Sequence, residues 1–169
     1  MRSGGMTDKR LEFTRFYDAA RDDCLQIVRV AVGDRQLAED LVAEAFTRAW
    51  ASWRTVRQHP APRAWVVRTA LNLNVSWWRR RRREIALGRR DLAAPEDAGA
   101  PDEELLAAIR RLPVRQQQVI ILRVLFELDA QATAQALGIA PGTVGVHLHR
   151  ALAALRTQIF IPASQEASE

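Results

Sequence analysis

Between Ala45 and Arg83 this 169-residue chain has ten arginines and neither Asp nor Glu. Cysteine is almost absent as well. Cys24 stands alone, which excludes an intrachain disulfide or a cysteine-rich zinc site and is compatible with a reducing intracellular compartment. No apolar run approaches the roughly 20 residues of a transmembrane helix, and the opening MRSGGMTDKR lacks the apolar core of a secretory signal. These absences predict a cytoplasmic protein without membrane insertion. Glycine is scarce at eight residues, while hydrophobic content is 48% and Ala, Leu and Arg are abundant. That composition fits a helical protein of one domain or two small ones.

The charge is unevenly placed. Residues 1–83 carry 17 basic and 9 acidic side chains, a net of +8, whereas residues 84–169 carry 8 and 11, a net of −3. The basic excess culminates in His59 to Glu84, HPAPRAWVVRTALNLNVSWWRRRRRE, which sets Trp65, Trp77, Trp78, Asn72, Asn74 and Arg79 to Arg83 in one expected helix. Arginine interleaved with aromatic and amide side chains favours nucleic acid among polyanionic partners. A solvated helix end, a localisation signal or a membrane-surface patch is the plainer alternative.

Periodicity divides the first half into helices. Thr7 or Asp8 is placed to cap a first helix whose inner face holds Leu11, Phe16, Tyr17, Ala20 and Cys24, ending in a turn at Gly33-Asp34. The next helix, Gln36 to Trp53, carries Leu37, Leu41, Ala45, Ala49 and Trp53 on one stripe, widened by Val42, Phe46 and Trp50. Glu39, Asp40, Glu44, Thr47 and Arg48 lie opposite. His59-Pro60-Ala61-Pro62 breaks the chain, and Pro62 suits the first turn of the following helix. There Trp65, Val66, Ala70, Leu73 and Trp77 can face inward, and of the adjacent Trp77 and Trp78 one can pack while the other turns outward.

Residues 84–101, EIALGRRDLAAPEDAGAP, lose periodicity and read as a linker. Asp102 is a candidate N-cap for an amphipathic helix with Leu105, Leu106, Ile109 and Leu112 that stops at Pro113. A further helix from Val114 to Phe126 has the core run Val119 to Leu122. The segment LDAQATAQALGIAPGTVGVHLHRALAALR, residues 128–156, matches a helix-turn-helix: a helix of about nine residues, a turn at Leu137-Gly138-Ile139, and a second helix opening at Pro141. Helical hairpins with a turn glycine also occur in proteins that never touch DNA.

Catalytic chemistry finds little support. Asp40 and Glu44, four apart, project together from one helix face, but no other residue completes a catalytic or metal site. His147 and His149 are two apart and face different sides of a helix, so they do not chelate zinc. His59 beside the proline turn reads as structural. No nucleophile with its base, metal cluster or cofactor site is legible, and the expectation is a non-enzyme.

Taken in order, these motifs resemble the bacterial sigma factors of the extracytoplasmic-function class, group 4 of the sigma-70 superfamily, which keep only regions two and four. DRQLAEDLVAEAFTRAW from Asp34 to Trp50 is similar to that family's core-polymerase-binding signature, and PRAWVVRTALNLNVSWWRRRRR resembles its minus-ten-reading region. LPVRQQQVIILR and LGIAPGTVGVHLHRAL resemble region four, the Ser-Trp-Trp-Arg run resembles an actinobacterial-type subgroup, and the match spans about residues 10–157.

The resemblance implies an all-α protein of two small helical domains: region two at 7–83, a linker at 84–101 that threads toward the polymerase active-site channel, and region four at 102–160. By position, Asp40, Leu41, Glu44 and Trp50 correspond to the surface that docks on core polymerase. Trp65, Asn72, Asn74, Trp78, Arg79, Arg80, Arg81, Arg82 and Arg83 fall in the minus-ten region, Asn72 matching an asparagine near the flipped base. Thr143, His147, His149 and Arg150 remain for the minus-thirty-five element. Implied partners are RNA polymerase core, through its beta-prime clamp helices and beta flap, promoter DNA, and an anti-sigma protein that the sequence does not identify.

The chain departs from the family pattern at three places. Ala140 stands where a polar N-cap is usual, a cap worth typically about 1 kcal/mol. Gly145 and Val146 stand where Lys-Ser is common, removing two DNA-facing donors, so minus-thirty-five recognition is expected to be weak or unusual. Ala43 replaces a common glutamine on the docking face. The expected function is promoter recognition and melting in transcription initiation; the alternative is a stand-alone helix-turn-helix regulator, which would not need the Asp40/Glu44 face.

Overall fold

Asp34 starts the helix around which the first half of the chain packs. Its backbone is extended and its carboxylate accepts from the Leu37 amide at 2.8 Å, satisfying one of the orphan donors of a helix N-terminus. The preceding Gly33 takes φ 76°, a left-handed conformation open to glycine at little cost, and its amide closes the previous helix on the Arg29 carbonyl. The computed structural model describes residues 4–86 and 103–160, and the chain divides into two units, Met1–Pro95 and Glu96–Glu169. Among the described residues every element is helical.

In the first unit α1 spans Gly4–Val32, α2 Arg35–Ala51, α3 Trp53–Val56 and α4 Pro62–Ala86. Helices α1, α2 and α4 pack against one another pairwise. Their core combines alanines at or near zero exposure (Ala38, Ala45, Ala49, Ala64, Ala70) with Cys24, Val28, Val42, Phe46, Val56, Val66, Val67 and Leu71. Phe13, Phe16, Tyr17, Phe46, Trp50 and Trp53 interlock across α1, α2 and the start of α3 at centroid separations of 4.8–6.3 Å. Trp53 is buried, and its indole N–H donates to Glu12 at 3.3 Å, where Arg57 also binds at 3.0 Å. Arg63 joins the start of α4 to Asp23 on α1 at 2.6 Å. His59 fixes the proline turn, its Nδ1 accepting from the Ala61 amide at 3.0 Å.

Several sequence expectations shift. Helix α1 begins at Gly4, so Thr7 and Asp8 lie within it rather than at its start. Leu11, expected inward, is 51% exposed, and Phe13 takes the aromatic contacts instead. Helix α2 ends at Ala51; Trp53 opens the separate α3, a break that lets its ring turn back onto Phe13 and Phe16. Helix α4 runs on through the arginine block to Ala86, past the expected linker start. The remainder of that linker and the Asp102 cap lie outside the described residues.

The second unit holds α5 (Glu103–Arg111), α6 (Val114–Ile120), a π-helical turn (Ile121–Leu125), α7 (Ala130–Leu137) and α8 (Pro141–Phe160). Instead of one helix from Val114 to Phe126, the chain widens into the π turn and reverses at Glu127, whose φ of 51° is unusual for a non-glycine residue. The Arg123 guanidinium donates to the Leu128 carbonyl across this reversal, and the Leu128 amide donates to Leu122 at 3.0 Å. Asp129 then caps α7 through the Ala132 amide at 2.7 Å, a cap hidden in the sequence among other polar residues. Gly138 closes α7 in the left-handed region at φ 65°. Ala108, Ile109, Leu112, Ile120, Ala151 and Leu155 form one cluster of the core, with Leu148 packed against it, and Val119, Ile121, Leu122, Leu137 and Val144 are buried as well.

Two properties are open to measurement. Burial pushes the Cys24 thiol up from 9.0 to about 12, opposed by nearby Arg63 and reinforced by Asp23. Between those values the unfolded chain binds fewer protons than the native one, so the thiol's contribution to stability is lost as pH rises through this window. The urea stability of the wild type relative to Cys24→Ala will fall from pH 9 upward; a constant difference refutes the burial effect. At Gly145 an added Cβ meets nothing within 4 Å. Gly145→Ala will raise the stability of the second unit by about 1 kcal/mol, measured by thermal unfolding; destabilisation would show that this glycine has a packing role.

Candidate functional site

The face of α4 that turns away from the core begins at a groove and ends in arginines. Trp65, Arg68, Thr69 and Asn72 recur at helical spacing and, with Arg48 and Ala51 of α2 and the following Ser52, line an open groove of about 390 Å³. The same spacing continues through Ser76, Arg79, Arg80 and Arg83, all exposed. Asn72 is exposed at the groove, while Trp65 is half-buried and holds Thr69 by its carbonyl, the Thr69 hydroxyl donating at 2.8 Å. The local cause is α4's pattern: Ala64, Val66, Val67, Ala70 and Leu71 occupy the core side, which drives the polar and cationic positions outward.

The expected minus-ten residues therefore separate into groups. Trp65 and Asn72 come together in the groove, joined by Arg48 and Arg68, which the sequence reading left out of the site. Their signal was present in the spacing of Arg68 from Trp65 and Asn72, but Arg48 belongs to another helix. Asn74 lies off this face, half-buried, with its side-chain oxygen enclosed and unpartnered. Trp78 is packed edge-on against Trp77 at 5.0 Å, so neither ring of the pair is turned fully outward. Arg81 lies 4.8 Å from the Trp77 ring centroid, in cation–π contact. Arg79, Arg80 and Arg83 remain outward-facing; the Arg82 side chain lies outside the described residues.

On α2, Asp40 and Glu44 are exposed on one face. Each has a neighbour one turn away: Gln36 donates to Asp40 at 3.2 Å and Arg48 pairs with Glu44 at 2.9 Å. Exposed pairs of this kind are worth only a few tenths of a kcal/mol, so a partner can replace them. Asp40 also borders a second groove of about 250 Å³ between α1 and α2, lined by Tyr17, Arg21, Gln36, Glu39, Ala43 and others. Arg21 places a guanidinium at the groove edge, held above its ordinary value by nearby Tyr17 and Asp22. Leu41, also expected on the docking surface, is only 6% exposed and packs in the core beneath it. Trp50 is half-buried against Phe13, with the Lys9 ammonium 4.2 Å from its ring centroid.

In the second unit Gly138 sets α7 against α8, whose inner stripe is Val144, Leu148, Ala151 and Leu155. Thr143, His149 and Arg150 are exposed on α8. His147 is half-buried, its Nδ1 enclosed and unpartnered, which turns it partly away from the surface that the other three share. Among the described residues no group of three or more His, Cys, Asp or Glu could hold a metal ion, and no helix is long and apolar enough to cross a membrane.

Comparison with known proteins accounts for both units. The Sigma-70 region 2 family matches residues 16–84, and the Sigma-70, region 4 family matches residues 102–155. The RNA polymerase sigma-E factor of Streptomyces coelicolor is 31% identical over 153 residues, covering 88% of this chain and 86% of that protein. The ECF RNA polymerase sigma factor SigX of Bacillus subtilis is 28% identical over 158 residues, 85% of this chain and 81% of that protein. The sigma factor RpoE of Bartonella quintana, solved with the anti-sigma factor NepR, shares the fold at a TM-score of 0.71 and 22% identity, covering 89% of this chain and 98% of its own. A match to region 2 as well as region 4 favours a sigma factor over a stand-alone helix-turn-helix regulator. The chain belongs to the sigma-70 superfamily as an RNA polymerase sigma factor of the extracytoplasmic-function class.

Proposed function

We propose that this sigma factor joins RNA polymerase core through the acidic face of α2 and opens promoter DNA along the outer face of α4. The observation that carries the reading is the continuity of that face, from the Trp65–Asn72 groove to Arg83. At 1.5 Å per residue, Asn72 to Arg83 spans about 16 Å, roughly five phosphates at the spacing of one B-form strand. The groove, at the small end of ligand-holding clefts, receives an unstacked base. Asn72 supplies hydrogen bonds to the base edge, and Trp65 supplies an aromatic wall. Arg79, Arg80 and Arg83 meet the phosphates of the strand, adding attraction without sequence information. Arg81 and Trp78 support this surface through the Trp77 contacts rather than lying on the DNA path.

Asp40 and Glu44 dock on the beta-prime clamp helices, with Trp50 shaping the surface behind them. Thr143, His149 and Arg150 face the minus-thirty-five element, and the second unit meets the beta flap. The protein works in the cytoplasm as a non-enzymatic initiation factor, in keeping with a family whose members are not enzymes in general. An anti-sigma protein is a further candidate partner, and an actinobacterial-type subgroup suits the Streptomyces relatives.

Run-off transcription with purified core polymerase and promoter DNA tests the reading. Asp40→Arg with Glu44→Arg will lower core affinity at least about tenfold, since like charges placed across an interface cost several kcal/mol; core binding unchanged by both reversals removes the docking assignment. Changing Arg79, Arg80 and Arg83 to Ala will weaken holoenzyme binding to promoter DNA and flatten its log–log salt dependence by roughly 2 to 3, at 0.7–0.9 for each phosphate contact. An unaltered salt slope rules out phosphate contacts on this face.

A further inference from the structure

The outer face of α8 carries one large apolar side chain where a DNA-reading helix usually places polar ones. Val146 is 48% exposed. Its neighbours one turn away on either side are Gly142, Thr143, His149 and Arg150, all exposed and none a large apolar residue. The other large exposed apolar residues of this helix, Leu152 and Ile159, lie about 120° or more around it at 100° per residue, and the exposed Ala153 two turns on adds only a methyl group, so Val146 belongs to no stripe of large apolar side chains that a partner helix could cover. It does not face the core either, since Val144, Leu148, Ala151 and Leu155 point the opposite way. Gly142 and Gly145 flank it, and the space where their Cβ atoms would stand is open. The helix surface beside Val146 is thus low, and its backbone can approach a groove floor closely.

We propose that Val146 is a specificity-determining residue that reads the C5-methyl group of a thymine in the major groove of the minus-thirty-five element. The inference rests on the sigma-factor reading of the second unit and adds a base identity to it. In the major groove the thymine methyl is an apolar feature that an aliphatic side chain recognises without hydrogen bonds. An isopropyl group flanked by glycines has the chemistry and the clearance for that contact. Exposed donors remain on the same face at Thr143, His149 and Arg150 to fix the helix on the backbone and neighbouring bases. The paired absence of side chains at Gly142 and Gly145 then has a use: recognition passes from donors to shape and one methyl contact.

The test uses holoenzyme reconstituted from the full chain and purified core. Bound duplexes are selected from a pool with a randomised upstream segment, and the recovered promoter is resynthesised with deoxyuridine replacing each upstream thymine in turn, which removes only the methyl. At one thymine the wild-type holoenzyme will bind about fourfold more weakly, the worth of one buried methyl group. Val146→Ala will bind the thymine and uridine duplexes equally. Wild type and Val146→Ala responding alike at every thymine overturns the proposal, as does a wild type indifferent to all of them. Run-off initiation from the same promoter is scored in parallel: initiation with a flat uridine profile rejects the methyl contact alone, and failure of both selection and initiation rejects the sigma-factor reading with it.

Discussion

Close approach of α2 to its neighbours is the constraint on which the first unit depends. Ala38, Ala45 and Ala49 on α2 and Ala64 and Ala70 on α4 are all at or near zero exposure, and side chains this small let helix backbones come near. Packing at that distance does two things. It brings Arg48, Ala51 and Ser52 beside Trp65 and Asn72, so the groove exists only because two helices meet there. It also turns α4's other face outward, committing Ser76, Arg79, Arg80 and Arg83 to solvent. A larger residue in the alanine seam would separate the helices and open the groove at once, since close-packed interiors absorb added volume poorly.

The two units solve different electrostatic problems. The first concentrates cations on α4 and places most of its carboxylates on α1 and α2, with Asp40 and Glu44 exposed on one face of α2. The second, residues 96–169, carries 6 basic and 9 acidic side chains, and Arg150 is the one arginine among residues 141–150 of α8. Phosphate attraction dominates affinity in most DNA complexes. On the proposed reading the first unit supplies most of the attraction to DNA, and the second adds contacts that depend on fit.

Much of this was legible along the chain because helical periodicity and turn residues are local signals. Gly138 and Pro141 marked the helix-turn-helix, Pro62 the start of α4, and the arginine block its basic end. Errors arose where a long-range contact or a hidden cap decided. The break at Ser52 places Trp53 against α1 and is invisible to a periodicity that runs through it. The π turn after Ile120 preserves an apolar pattern that reads as plain helix. The adjacent tryptophans pack on each other rather than dividing between core and solvent.

The sequence by itself determined the helical class, the charge asymmetry and the order of motifs, since each follows from side-chain chemistry repeated at 3.6-residue spacing. Only the tertiary structure decided which of those side chains share a surface. Asn72 and Asn74 are chemically alike and two residues apart, but one opens onto the groove and the other is half-buried off that face. Arg81 and Arg83 belong to one run, yet a tryptophan ring holds the first while the second faces solvent. The physical reason is that a helix turns 100° per residue, and the direction each position faces acquires meaning only once a neighbouring helix has covered one side.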